Sequence, residues 1–272
     1  MQYTIHYALQ TCDVSSFQGG DRFASKSRTE ISQKCILSFI ESVAYCANEI
    51  PNFDHHIIIF KDRITDNLSD FINICQEKYS CNRIKIEISE VETSGIRGSI
   101  ESCYKWLRDY GKHLVYQVQD DYLFSKHAIT SMVNIFHKIL VDTGSPPIVY
   151  SFNDPYLWQV IYKDTPTPRC IFLGDEGYWI QLYDGSCTFL TSHYNFCSNW
   201  DLFEDFFTLT DLWDKNKTGD LENKSLNYMF IKRGILGITP INSVAHHLQT
   251  DLYKDPFVDY RPIWDSIDVN VG

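Results

Sequence analysis

No run of the 272-residue chain approaches the roughly 20 apolar residues that a bilayer-spanning helix needs. The amino terminus, Met-Gln-Tyr-Thr-Ile-His, lacks a basic segment ahead of an apolar one and a small-residue cleavage site, so it reads as carrying no secretory signal. Positive charge is scarce: 24 Lys and Arg stand against 35 Asp and Glu. The net charge of −11 argues against a protein that holds long nucleic acids, since that requires cations to displace counterions. The nine cysteines are odd in number and never spaced Cys-x-x-Cys, which points away from zinc ribbons and disulfide scaffolds and toward reduced thiols, mostly in the core. There is no Walker loop, Gly-x-Gly-x-x-Gly turn, His-Glu-x-x-His helix or Gly-x-Ser-x-Gly elbow, and no internal repeat or low-complexity linker. Asn216-Lys217-Thr218 and Asn223-Lys224-Ser225 match the glycosylation pattern, but without an export signal they read as chance. What remains is a soluble globular chain; its 44% hydrophobic content is that of one compact domain, in one lobe or two.

Hydrophobic period organises the first half. Tyr3 to Leu9 reads as a strand, and a loop rich in Ser, Gly and Asp follows from Gln10 to Lys26. Ile36, Ile40, Val43 and Ala47 then recur at the spacing of one helix face, and Pro51 ends that helix. His56 to Phe60 is a continuous apolar strand; Asp66 is placed to cap a helix burying Leu68, Phe71, Ile72 and Cys75. Ile84, Ile86 and Ile88 alternate with charge, as in a strand near a sheet edge. A Gly95 to Gly98 turn introduces a helix over Ile100, Cys103, Tyr104 and Leu107, which Gly111 stops. The β-α-β-α-β-α-β order is that of a mostly parallel sheet with helices on both faces. After Asp121 the pattern continues with a helix from Lys126 to Leu140 and a strand at Ile148 to Phe152. From Trp158 onward, short aromatic strands broken by Gly and Asp turns predict a more antiparallel second half. A short helix is read over Glu222 to Arg233 and a late strand over Leu236 to Thr239; the tail from Asp251 has no legible pattern.

The chemistry concentrates in His113 to Phe124. Strand-forming residues there deliver Asp120 and Asp121 to the carboxyl end of a strand, where open α/β sheets bind ligands. Adjacent carboxylates repel and resist desolvation, so the pair asks for something positive beside it, most simply a divalent cation holding a diphosphate. The alternative is that the pair merely caps the next helix.

Four features in chain order resemble the GT-A fold glycosyltransferases, particularly the family-2-like enzymes of bacteria and their viruses. They are Asp62 after the second strand, the Gly95 to Ser99 turn with Arg97, Gln119-Asp120-Asp121, and Pro240-Ile241-Asn242-Ser243-Val244-Ala245-His246-His247. The resemblance covers most of the first 125 residues by pattern and only short motifs beyond, and Gln119 departs from the acidic first position of the family's triplet. It implies an α/β, GT-A type nucleotide-diphospho-sugar transferase fold over residues 1–272. Residues 1–125 would bind the nucleotide sugar and 126–272 the acceptor.

By that resemblance Asp121 is a metal ligand and His247 completes the metal shell, with His246 as the alternative. Asp62 contacts the base, Asp120 the ribose or sugar, Arg97 the diphosphate, and Thr11 joins the nucleotide-contacting set. Mn²⁺ suits an imidazole beside carboxylates better than Mg²⁺ does. The implied partners are a nucleoside-diphosphate sugar, UDP-linked by preference, and a saccharide or other hydroxyl acceptor; the implied setting is cytoplasmic, host cytoplasm for a viral member. The general base is expected at Glu222, with Asp201, Glu204 and Asp205 as competitors beside aromatic residues. Each feature also has a structural reading. Asp62 can serve its turn, Arg97 can be a surface cation, the His pair can be solvated, and Tyr178, Trp179, Trp200, Phe206 and Phe207 can be core. Two rival functions stay open. One is a sugar nucleotidyltransferase, which usually carries a basic Gly-rich loop where Ser15 to Arg22 stands; the other is a non-catalytic sugar-binding protein of related fold.

Overall fold

Strands buried on both faces open the structure. Tyr3–Thr11 (β1) is closed to solvent over most of its length, and its side chains divide by parity: Ile5, Tyr7 and Leu9 face one hydrophobic core, Ala8 the other. Phe53–Lys61 (β2) divides in the same way, Ile57 and Ile59 from Ile58 and Phe60. Such strands are stable only between two helical layers. The computed structural model describes residues 2–14, 26–154, 169–186, 188–216, 225–248, 255 and 257–270.

One layer consists of Arg28–Glu49 (α1), Asp66–Tyr79 (α2) and Ala128–Thr143 (α4). The other holds Ile96–Tyr110 (α3) and Trp200–Asn216 (α6), whose Tyr104, Phe203, Phe206 and Phe207 interlock. The inner faces expected from periodicity on α1, α2 and α3 are all buried, and α4 buries Ile129, Met132, Val133, Phe136 and Ile139. The α2 cap is Thr65 rather than Asp66: the Thr65 hydroxyl accepts from the Leu68 N–H at 3.4 Å, and Asp66 instead places its charge in the first turn.

Ile84–Glu90 (β3) is the sheet edge, and Leu114–Gln119 (β4) lies on the far side of β1, all four strands parallel. The second half extends the same sheet with Ile148–Val149 (β6), Ile171–Gly174 (β7), Gly177–Leu182 (β8), Leu190–Ser192 (β9) and Gly237–Pro240 (β10). The order is β3-β2-β1-β4-β9-β6-β10-β8-β7, and four of the five pairings beyond β4 are antiparallel. The fold class is thus the expected α/β sheet, mostly parallel in its first half and more antiparallel in its second.

Past Gln119 the chain turns through Asp120 and Asp121 and forms Tyr122–Phe124 (β5), which leaves the main sheet to pair antiparallel with Ala245–His247 (β11). Neither strand of this second sheet was legible as such. His193–Ser198 (α5) and Tyr228–Ile231 (α7) are single short turns, the latter shorter than the helix expected from Glu222 to Arg233. Arg261–Ser266 (α8) brings the unplaced tail back onto α1, where Lys34 lies over the Trp264 ring and donates to its carbonyl at 2.6 Å. Among the described residues no helix is long and apolar enough to cross a membrane, and the described cysteines are free thiols, four of them buried.

Three buried histidines mark the sheet. Burial, with the charges of His56 and Lys112 adding, drives His6 down to about 3; burial and then Arg83 take His55 to about 3; burial takes His246 to about 4 against the opposing pull of Asp255 and Asp259. An unfolded chain protonates these rings near 6.5 while the native one keeps them neutral, so the unfolded state binds more protons and stability falls as pH drops below about 6.5. Each ring contributes up to about 1.4 kcal/mol per pH unit. Urea titrations between pH 6.5 and 4.5 are expected to show falling stability, with a shallower slope in His6→Gln; an unchanged slope in that variant would contradict the assignment.

Candidate functional site

At the carboxyl end of β4 the Asp120 carboxylate is buried, 3% exposed, and fully engaged. Its Oδ2 accepts from the Thr11 hydroxyl at 2.7 Å, the Ser32 hydroxyl at 2.8 Å and the Cys12 N–H at 3.1 Å; its Oδ1 receives the Arg28 guanidinium. One carboxylate thereby ties together the ends of β1 and β4 and the start of α1. Burial pushes the Asp120 carboxyl above its ordinary range; Arg28 opposes that push, Asp121 adds to it, and the two hydroxyls again oppose it.

Arg28 was not anticipated. It is the first residue of α1, where the helix dipole disfavours a cation, and that misplacement is the signal by which sequence could have singled it out. Its Nε donates to the Cys12 carbonyl at 3.1 Å, one amino group meets Asp120, and the other lies 3.6 Å from Asp121 Oδ2. The positive group demanded by the carboxylate pair is, in the protein itself, this guanidinium. Burial pulls its pKa down, and Asp120 followed by Asp121 more than restore it, so Arg28 stays charged.

Asp121 has a second neighbour beside Arg28. His247 Nε2 lies 3.6 Å from its Oδ2, although the two come from opposite halves of the chain. The small sheet makes the meeting possible: Tyr122 pairs with His247, and the Leu248 N–H donates to the Asp121 carbonyl at 2.8 Å. Strand alternation sends adjacent residues to opposite faces. His247 stacks on Tyr122 with 4.6 Å between ring centres and 11° between planes, whereas His246 is buried against Tyr260.

Two donors 3.6 Å apart fit within the roughly 4.2 Å that opposite ligands at about 2.1 Å from one ion would span. Among the described residues no set of three His, Cys, Asp or Glu converges, so a divalent ion on Asp121 and His247 would take its further oxygens from water or from a ligand. Asp120, turned to Arg28, is not a donor in this arrangement.

Asp62, at the end of β2, is 2% exposed. It accepts two hydrogen bonds from Arg63, one from the Gly95 N–H and one from the Ser99 hydroxyl, each at 2.9 Å. Burial pushes this carboxyl up, and Arg63, Gly95 and Ser99 together outweigh it and hold the group below its ordinary range. The donors keep Arg63 in a left-handed turn at φ 50° and fasten Gly95, at φ 109°, to the start of α3. Gly98 in the next turn cannot carry a side chain, because a Cβ would lie 1.7 Å from the Thr93 carbonyl oxygen. Arg97 stands in that first turn, pairing with Glu101 at 3.1 Å and partly open to solvent.

Trp200, which opens α6 beside Asp201, sits at the end of α3 opposite the Asp62 turn. Trp200 lies on Arg108 in the last turn of α3, with 4.3 Å from guanidinium carbon to ring centre, while the Asp62 turn sits at the first. At about 1.5 Å per residue the 15-residue α3 separates those ends by roughly 20 Å. Asp201 is spent on Arg233 at 2.6 Å, and Glu204 accepts from the Trp200 ring at 2.9 Å. The neighbouring aromatics were free to be a saccharide wall or core, and Phe206, Phe207 and Trp179 are core, with Tyr178 exposed. Glu222 lies outside the described residues.

No family model and no curated protein matches this chain. Solved structures do. An apo UDP-glucose pyrophosphorylase aligns over 91% of this chain and 93% of its own at 11% identity and a TM-score of 0.47. An active-site mutant of LgtC covers 83% and 70% at 12% identity and 0.43. The 4-diphosphocytidyl-2C-methyl-D-erythritol synthase of Anaerococcus prevotii covers 88% and 89% at 14% identity and 0.40.

The Asp62 clamp has a measurable signature. Asp62→Ala leaves a partly buried N–H and a guanidinium without their acceptor and is expected to lower unfolding stability by about 2 kcal/mol. A carboxylate that served only a nucleotide base would change ligand affinity and leave the urea midpoint unmoved.

Proposed function

We propose that this protein is a glycosyltransferase that moves a hexose from a nucleoside-diphosphate sugar, UDP-linked by preference, to an acceptor hydroxyl with inversion. The observation that carries the reading is the convergence of Asp121 Oδ2 and His247 Nε2 at the carboxyl end of β4, beside the buried Asp120–Arg28 pair. That end of a parallel sheet is where such folds hold ligands. The resemblance noted in the sequence supplies the chemistry that the convergence suits.

In this reading Asp121 and His247 would hold a divalent ion, Mn²⁺ before Mg²⁺. When bound, it supplies positive charge to the departing diphosphate. Arg28 faces the same diphosphate from the β1 side and Arg97 from the first turn of α3, where N–H groups also favour an anion. Thr11 and Asp120 set the floor under the ribose, and Asp62 contributes its Oδ1 toward the base. The acceptor oxygen attacks the anomeric carbon, the bond from that carbon to the diphosphate oxygen breaks, and the acceptor proton passes to a carboxylate. Glu222 is our choice for that base.

Three measurements test this. UDP affinity by calorimetry should be much higher in Mn²⁺ than in chelator, and Asp121→Ala should abolish the difference; equal affinity in both buffers would remove the metal from the account. His247→Ala should weaken Mn²⁺-dependent UDP binding tenfold or more, about 1.4 kcal/mol, with a smaller effect from His246→Ala. Glu222→Gln should keep UDP affinity and lose roughly 10²-fold in transfer rate. Formation of pyrophosphate from UTP and a sugar phosphate, with no transfer from UDP-sugar, would identify a nucleotidyltransferase instead.

A further inference from the structure

We infer that Arg28 makes the divalent site conditional on diphosphate: a fixed cation of the protein occupies the flank of Asp121, so the ion binds strongly only once a diphosphate is present. The inference rests on the metal reading above and concerns the order and coupling of binding.

The geometry is specific. One guanidinium nitrogen lies 3.6 Å from Asp121 Oδ2, the same oxygen that His247 approaches at 3.6 Å. An ion held by Asp121 and His247 therefore shares its carboxylate with a guanidinium. Two cations on one oxygen repel, and in a partly buried site that repulsion is weakly screened. The local charge leads to the same result. Asp120 and Asp121 alone would present two negative charges, but with Arg28 the cluster presents one, and the imidazole adds none while it acts as a donor.

Arg28 also cannot step aside at small cost. Its Nε is committed to the Cys12 carbonyl and its amino group to Asp120, which is 3% exposed. Withdrawing the guanidinium would leave a buried carboxylate without its counter-charge, a strongly unfavourable state. The cation is thus part of the floor and not a mobile arm. A diphosphate changes the balance, because its oxygens bring negative charge that both the ion and Arg28 can share. Ion and diphosphate should then each raise the affinity of the other by one common factor, as linkage requires. The same guanidinium keeps the empty site from scavenging divalent ions.

The test is Mn²⁺ binding followed by electron paramagnetic resonance of the free ion, with and without UDP. It uses the unmodified protein, Arg28→Met, Arg28→Lys, and the double variant Arg28→Met with Asp120→Asn, which removes the buried charge along with its partner. The parent should bind Mn²⁺ weakly alone and on the order of tenfold or more tightly with UDP. Arg28→Met should bind Mn²⁺ on the order of tenfold more tightly without UDP and show a smaller UDP enhancement than the parent. Arg28→Lys, which retains the charge, should keep more of that enhancement than Arg28→Met. Should Arg28→Met fail to fold, the double variant decides, with the same direction of change expected. If the parent shows UDP enhancement and the neutral variants preserve both it and the weak affinity for Mn²⁺ alone, the inference about Arg28 fails while the metal reading stands. If the parent binds no Mn²⁺ even with UDP, the metal reading fails and takes this inference with it.

Discussion

A carboxylate that is nearly inaccessible to water organises the ligand-facing end of this sheet. Asp120 receives two hydroxyls, one backbone N–H and a guanidinium, and those donors come from the end of β1 and the first turns of α1. The neutral donors answer part of its desolvation and Arg28 answers its charge; a buried carboxylate needs both. Because Arg28 reaches onward to Asp121, the same interaction sets the electrostatics of the position where a ligand would meet the protein. Fold and site are coupled here through one ion cluster.

The second constraint is the small sheet. Main-sheet pairing ends at Gln119, and the turn at Asp120 and Asp121 frees Tyr122 to Phe124 to pair with Ala245 to His247. The Ser125 N–H donates to the Val244 carbonyl at 2.9 Å, which helps fix the register of the pair. Register decides which imidazole meets Asp121, since a slip of one residue would present His246 in place of His247. The aromatic stack of Tyr122 on His247 and the burial of His246 under Tyr260 oppose that slip from both faces.

Sequence was most informative where one physical requirement dominated. The apolar runs of β1 and β2 must be buried on both faces, and the faces of α1 to α4 follow the helical period, so the parallel half could be read directly. The Thr65 cap was passed over for its acidic neighbour because either residue satisfies the capping preference and only backbone geometry chooses between them. β5 and β11 are three residues each, too short for any periodicity to show, and their pairing is a long-range event. Arg28 went unread because its partners are distant in sequence. The carboxylate pair did announce that a positive charge was needed, without revealing that the chain supplies one itself. Asp62 shows the opposite limit: its position was legible, but its engagement by Arg63, Gly95 and Ser99 depends on how the loop before α3 closes.

In the proposed site Asp121 and His247 jointly hold an ion against a diphosphate. The most direct measurement is electron–nuclear double resonance on Mn²⁺ in the presence of UDP. Phosphorus hyperfine coupling from the diphosphate together with nitrogen coupling from an imidazole is expected, the nitrogen signal vanishing in His247→Ala and persisting in His246→Ala. A spectrum with no imidazole nitrogen in the unmodified protein would contradict the account.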